Sequence, residues 1–165
     1  NNAGHSSKNR NTQNTGLEDI VNVFNSNLVG TVLFTQAVLN NMKSHNNGLI
    51  INISSVAGLS GSPIAGLSYG AAKAAVINFT EYLNIELKNT MIKATAIMPG
   101  EVDTPIMDQR PIVPSEEGRK SMAKSVDVAE TIFSLASLSE STSIHSMVIM
   151  PNKMRNVNSE IIMPE

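Results

Sequence analysis

Apolar residues recur at Leu17, Ile20, Val21, Phe24, Leu28, Val32, Phe34, Val38 and Met42, largely at helical spacing, which predicts one long amphipathic helix. Asn46-Asn47-Gly48 is a turn signal that ends it. Leu49 to Ile53 then forms a β-branched run with little alternation, the pattern of a parallel strand buried on both faces, and Ser54 and Ser55 close it. Gly58, Gly61, Pro63 and Gly66 mark a loop before a second helical stripe of Tyr69, Ala72, Val76, Phe79, Leu83 and Leu87. A strand at Ala94 to Met98 is stopped by Pro99-Gly100. The stretch from Glu101 to Lys120, with Pro105, Pro111, Pro114 and Gly118, predicts a long loop holding one short helix, and loops of that length are often functional. Val126 to Leu138 predicts a further helix capped by Ser125, and Met147 to Met150 a third strand. Strands alternating with helices predict βα units, hence an α/β fold with a doubly wound parallel sheet covered on both faces.

The 165 residues fit one domain. The formal charge of −2 is spread along the chain, with neither a basic face for nucleic acid nor a polybasic membrane anchor. No apolar run approaches the roughly 20 residues that span a bilayer. Zero cysteines exclude a disulfide framework and a thiolate metal site, and point to a cytoplasmic protein. His5, His45 and His145 are far apart without helical pairing, so no metal is expected. The opening Asn1-Asn2-Ala3-Gly4 reads as the end of a structured element, which predicts a truncated chain.

Tyr69-Gly70-Ala71-Ala72-Lys73 sets a phenol and an ammonium one helical turn apart on one face. A phenol that exchanges protons near neutrality needs its pKa, ordinarily near 10, lowered by roughly three units, or about 4 kcal/mol. One cation at ~4 Å in an effective dielectric of about 20 supplies ~4 kcal/mol. The Ser54-Ser55 strand end lies just upstream, and ligands of open parallel sheets bind at the carboxyl ends of strands. Ser55 is the preferred hydroxyl to meet Tyr69, with Ser54 as its rival.

Five pieces in order, Asn1 to Gly4, Asn27-Leu28-Val29-Gly30, Ile51-Asn52-Ile53-Ser54-Ser55, Tyr69 to Lys73 and Pro99-Gly100-Glu101-Val102-Asp103-Thr104, resemble the signature of the short-chain dehydrogenase/reductase family over nearly the whole chain. The resemblance implies a Rossmann-like domain and interconversion of a carbonyl and an alcohol by hydride transfer with NAD or NADP. It implies that Tyr69 exchanges the proton of the substrate oxygen and that Ser55 hydrogen-bonds that oxygen. Lys73 would lower the tyrosine pKa and bind the nicotinamide ribose, while Asn27 would hold a water in a proton relay. Asn1, Ala3 and Gly4 would line the adenosine side of the cofactor, and Pro99, Gly100, Val102 and Thr104 would meet its nicotinamide end. Dimers or tetramers through the helices at Leu17–Met42 and Tyr69–Lys88 are also implied.

The family's glycine-rich turn, where a helix N-terminus receives the pyrophosphate, has no counterpart, nor has the residue that selects NAD or NADP. The chain therefore resembles the C-terminal two thirds or so of one such domain. The loop from Asp103 to Lys120 contains Ile106, Met107, Ile112 and Val113 without an arginine cluster, which points to a fairly apolar substrate, and Met107 is a candidate to touch it. The alternative is a non-catalytic fragment that acts by association with another subunit, for which an exposed sheet edge beside Asn1–Gly4 speaks.

Overall fold

In a computed structural model that describes residues 1–162, helix α1 (Leu17–Phe24) runs through a π-helical turn (Asn25–Val29) into α2 (Gly30–His45). Strand β1 (Gly48–Ile53), α3 (Leu67–Glu86) and β2 (Ile92–Pro99) follow. A short strand β3 (Val102–Asp103), helix α4 (Glu116–Lys120) and strand β4 (Ala123–Lys124) then lead into α5 (Ser125–Ala136) and β5 (Ser146–Ile149). The main sheet has the order β1-β2-β5 and is parallel throughout. The α/β alternation and the parallel sheet are as expected, although the strands extend a residue or two past the predicted apolar runs.

Central strand β2 is buried along nearly its whole length, which is why Ile92 to Pro99 is mostly apolar and small, broken only by Lys93 and Thr95. Its side chains alternate. Ile92 and Ala94 join Ile50, Leu83 and Leu87 in a core beneath α3, closed by Leu39, Met42 and Phe79. Lys93 and Thr95 instead line a recess with Leu135 and Ala136 of α5 on the opposite face.

Three expectations change. The structured element expected at Asn1–Gly4 pairs with β1 only through Asn1: its N-terminal amine donates to the Ile51 carbonyl at 2.8 Å, and Ile53 N–H donates to Asn1 O at 2.9 Å. Ser125 does not cap α5 but begins it. The cap is Lys124, whose backbone N–H is taken by the Asp127 carboxylate at 2.6 Å, a stronger, charged acceptor at the positive helix end. The long loop after β2 is more ordered than expected, because β3 pairs with β4 and ion pairs from Asp103 to Arg119 (3.2 Å) and Lys124 (3.1 Å) brace it. Among the described residues no helix is long and apolar enough to cross a membrane.

Candidate active site

Parallel strands end together, and their carboxyl ends carry the chemistry. Ser54 N–H donates to Ile97 O at 2.7 Å and Gly100 N–H to Ile149 O at 2.8 Å, so the three strand ends form one ledge. A groove of about 540 Å³ opens above it. Of the sequence-derived site residues, Gly4, Asn27, Ser55, Tyr69, Lys73, Pro99, Gly100, Val102 and Thr104 all line this groove. Asn1 and Ala3 do not. Asn1 is turned away because its amide donates to Asn52 Oδ1 at 2.8 Å, which leaves Asn2 facing the groove in its place.

Tyr69 lies in the first turn of α3 and Lys73 one turn on, with the ammonium 5.4 Å from the phenol ring centre. Lys73 is almost fully buried and donates to the Ile53 carbonyl at 2.8 Å, and burial lowers its pKa to about 8. The expected lowering of the Tyr69 pKa by Lys73 is not observed: burial raises it, opposed by the neighbouring Ser55 hydroxyl and by the charges of Arg10 and Arg110. The lysine is committed to a strand carbonyl, and the cations that act on the phenol come from elsewhere in the chain.

The two serines differ sharply. Ser54 is buried and its hydroxyl donates to the Lys73 carbonyl at 2.7 Å, which ties β1 to α3. Ser55 caps a short helical turn by accepting from Ala57 N–H at 3.2 Å, while its hydroxyl makes only a long bond to Pro99 O, 3.5 Å, and faces Tyr69.

Asn27 sits inside the π-helical turn, where Gly30 N–H reaches back five residues to Asn25 O. Its amide nitrogen donates to Val23 O and to His5 O, both at 2.8 Å, so the side chain competes for a carbonyl of the helix itself. The amide oxygen is buried and has no partner. Gly4 packs directly on it: a Cβ at Gly4 would collide with Asn27 Oδ1 and stand 3.6 Å from Lys73 Nζ. Glycine is required there by close approach, and Asn27 and Lys73 flank one small space.

Sequence reasoning passed over two groups. Val128, Ala129 and Ile132 of α5 form an apolar wall of the groove, and helical periodicity alone does not say which ligand surface a helix faces. Arg10 lies in a polar stretch without periodicity, yet it lines a second recess of about 120 Å³ with Ser55, Tyr69, Met107 and Arg110. The expectation that no arginines cluster near the substrate loop is thereby corrected, because Arg10 arrives from the far end of the chain.

Residues 1–112 match the family profile described as short chain dehydrogenase. The chain belongs to this family. It is 36% identical over 137 residues to a 3-oxoacyl-(acyl-carrier-protein) reductase of Thermotoga maritima, covering 80% of this chain and 55% of that protein. Short-chain dehydrogenases of known structure superpose on nearly the whole chain. The closed form of a serine dehydrogenase complexed with NADP+ gives a TM-score of 0.84 at 29% identity over 94% of this chain and 65% of that one. A Brucella melitensis 3-oxoacyl-(acyl-carrier-protein) reductase with bound NAD gives 0.79 at 27% identity, over 92% and 59%. The Rossmann-like fold expected from the sequence is thus the fold of this segment, and the chain spans about a third to two thirds of the length of the relatives it matches.

Proposed function

We propose that this chain is the catalytic part of an NAD(P)-dependent oxidoreductase that interconverts a carbonyl and an alcohol, and that it forms the C-terminal two thirds or so of a single short-chain dehydrogenase domain. The observation that carries this reading is the convergence of Ser55, Tyr69 and Lys73 on the wall of one groove at the strand ends. A bound nicotinamide dinucleotide would supply or accept the hydride, and relatives hold NADP+ or NAD in their structures. The groove suits its nicotinamide half. Gly4 leaves room for close approach, Lys73 has protons beyond the one given to Ile53 O, and Pro99, Gly100, Val102 and Thr104 offer a mixed apolar and polar edge.

Each residue then has a task. Tyr69, held protonated at neutral pH by burial, is in the form that gives a proton to a carbonyl oxygen. Ser55, whose hydroxyl is only loosely engaged, donates to the same oxygen. Ser54 is assigned a structural role, since its hydroxyl is spent on Lys73 O. The unpartnered Asn27 Oδ1 beside Lys73 supports a water-mediated proton path between them. Association of like subunits is supported by exposed Leu33, Phe34 and Val38 on α2 and Tyr82 and Ile85 on α3, and sedimentation tests it. A cytoplasmic location rests on the cysteine-free composition.

Fluorescence titration with NADH and NADPH tests the reading. Saturable binding, weakened in Lys73→Ala, is expected, together with turnover that falls roughly 10²- to 10⁴-fold in Tyr69→Phe. A folded chain that binds neither nucleotide would favour the association-only alternative.

A further inference from the structure

Resting on the oxidoreductase reading, we propose that the recess beside Tyr69 binds a carboxylate carried by the substrate, with Arg10 as its principal anchor and Arg110 behind it. The substrate class is a small hydroxy acid or oxo acid rather than an apolar alcohol.

Arg10 has no carboxylate partner among the described residues. Its Nη1 donates to Ser6 Oγ at 2.7 Å and to the Ala65 carbonyl, but its Nε is buried with no acceptor and Nη2 makes no hydrogen bond there. A half-buried guanidinium that uses only one of its nitrogens retains unmet donors, and its fork suits a planar carboxylate. The side chain cannot easily swing away. Gly66, at φ +87°, packs against the Arg10 stem, and the Arg10 carbonyl accepts Leu67 N–H at 2.9 Å, fixing the arginine to the start of α3.

The charges around the recess leave a positive excess. Arg110 is matched, with Glu101 at 2.8 Å and Glu160 at 3.5 Å, and Arg155 binds the same two glutamates. That set of two arginines and two glutamates is neutral. Glu101, which also faces the recess, is held ionised by Arg155 and Arg110. Among the described residues Arg10 is therefore the one uncompensated charge on the wall, and burial together with nearby Arg110 depresses its pKa. An anion placed between them relieves that repulsion and accepts from Nη2, which makes no other hydrogen bond among the described residues. Ser55 and Tyr69 line the same recess, so an acid anchored on Arg10 reaches them only if its oxygen-bearing carbon is close to the carboxylate. The volume of about 120 Å³ fits a short acid.

The test compares 3-hydroxybutanoate with its uncharged methyl ester on the full chain, by calorimetric binding and by kcat/KM with NAD+ or NADP+. The acid should bind and react better than the ester by roughly 10- to 150-fold, the range of a hydrogen-bonded charge. Arg10→Gln should collapse that ratio towards one, and Arg10→Lys, which keeps the charge, should restore part of it. Equal binding of acid and ester by the wild type overturns the anion site, whatever the variants do. Turnover of both without discrimination keeps the oxidoreductase and removes the carboxylate, whereas selective binding of the acid without any turnover keeps the anion site and sinks the oxidoreductase.

Discussion

The two ends of the sheet solve opposite problems with the same strands. At the end where β1 and β2 begin, Ile50, Leu83, Leu87, Ile92 and Ala94 close an apolar core in which every contact favours folding. Where they finish, Lys73 is buried against its charge, Asn27 Oδ1 and Arg10 Nε lack partners, and the Tyr69 phenol is desolvated. An unsatisfied buried polar group costs about 1–3 kcal/mol. Such a ledge persists only because the apolar end over-determines the backbone that carries it, and its unmet groups are what a ligand can answer.

Leu83→Ala presses hardest on this contrast. It should destabilise the protein by about 2–5 kcal/mol in denaturant unfolding while leaving the Tyr69 site assembled in the folded fraction, and a selective loss of nucleotide binding without a stability loss would erase the distinction. The serine pair sharpens it within two residues. Ser55→Ala should lower turnover roughly 10²-fold with little change in stability, and Ser54→Ala should do the reverse, about 0.5–1.5 kcal/mol, because it removes the buried hydrogen bond that ties β1 to α3.

Lys73 gives the most diagnostic effect, because it depends on pH. Its folded pKa of about 8 lies below the ordinary 10.5, so between those values the unfolded chain binds more protons than the folded one. Stability should therefore rise with pH across that window, by about 3 kcal/mol at most, with the burial penalty fully present below pH 8. Lys73→Met should abolish the rise, measured as the difference between wild-type and variant urea midpoints at pH 7.5 and 10. A parallel slope in both proteins would mean that the lysine is not the buried charge.

Much of this was legible in the sequence because strands and catalytic spacing are local. The β-branched run at Leu49 to Ile53 and the Tyr69-Lys73 interval each encode their structure within a few residues. Three features were not. The break in the helix at Asn27 depends on one side chain diverting the Val23 carbonyl, which leaves the apolar stripe on either side intact. The pKa of Tyr69 depends on burial and on Arg10, 59 positions away in the chain by the numbering, and no periodicity records such a contact. Ser54 and Ser55 are chemically identical in sequence and separate only once α3 packs on one of them.

The π-helical turn also sets what the chain can tolerate in length. A turn of that kind carries one residue more than an α-helical path, so deleting any one position between Asn25 and Val29 would let the segment close into an uninterrupted α-helix with the faces of α1 and α2 kept, while the widened turn that carries Asn27 would be lost. Val23 could stay buried and Val21 exposed, but the Asn27 amide, which donates to Val23 O and His5 O, would lose its place. Homologous sequences aligned through this helix should therefore admit substitutions freely on its outer face but refuse single-residue gaps at Asn25–Val29, a constraint on insertions and deletions that outlasts the identity of any side chain there.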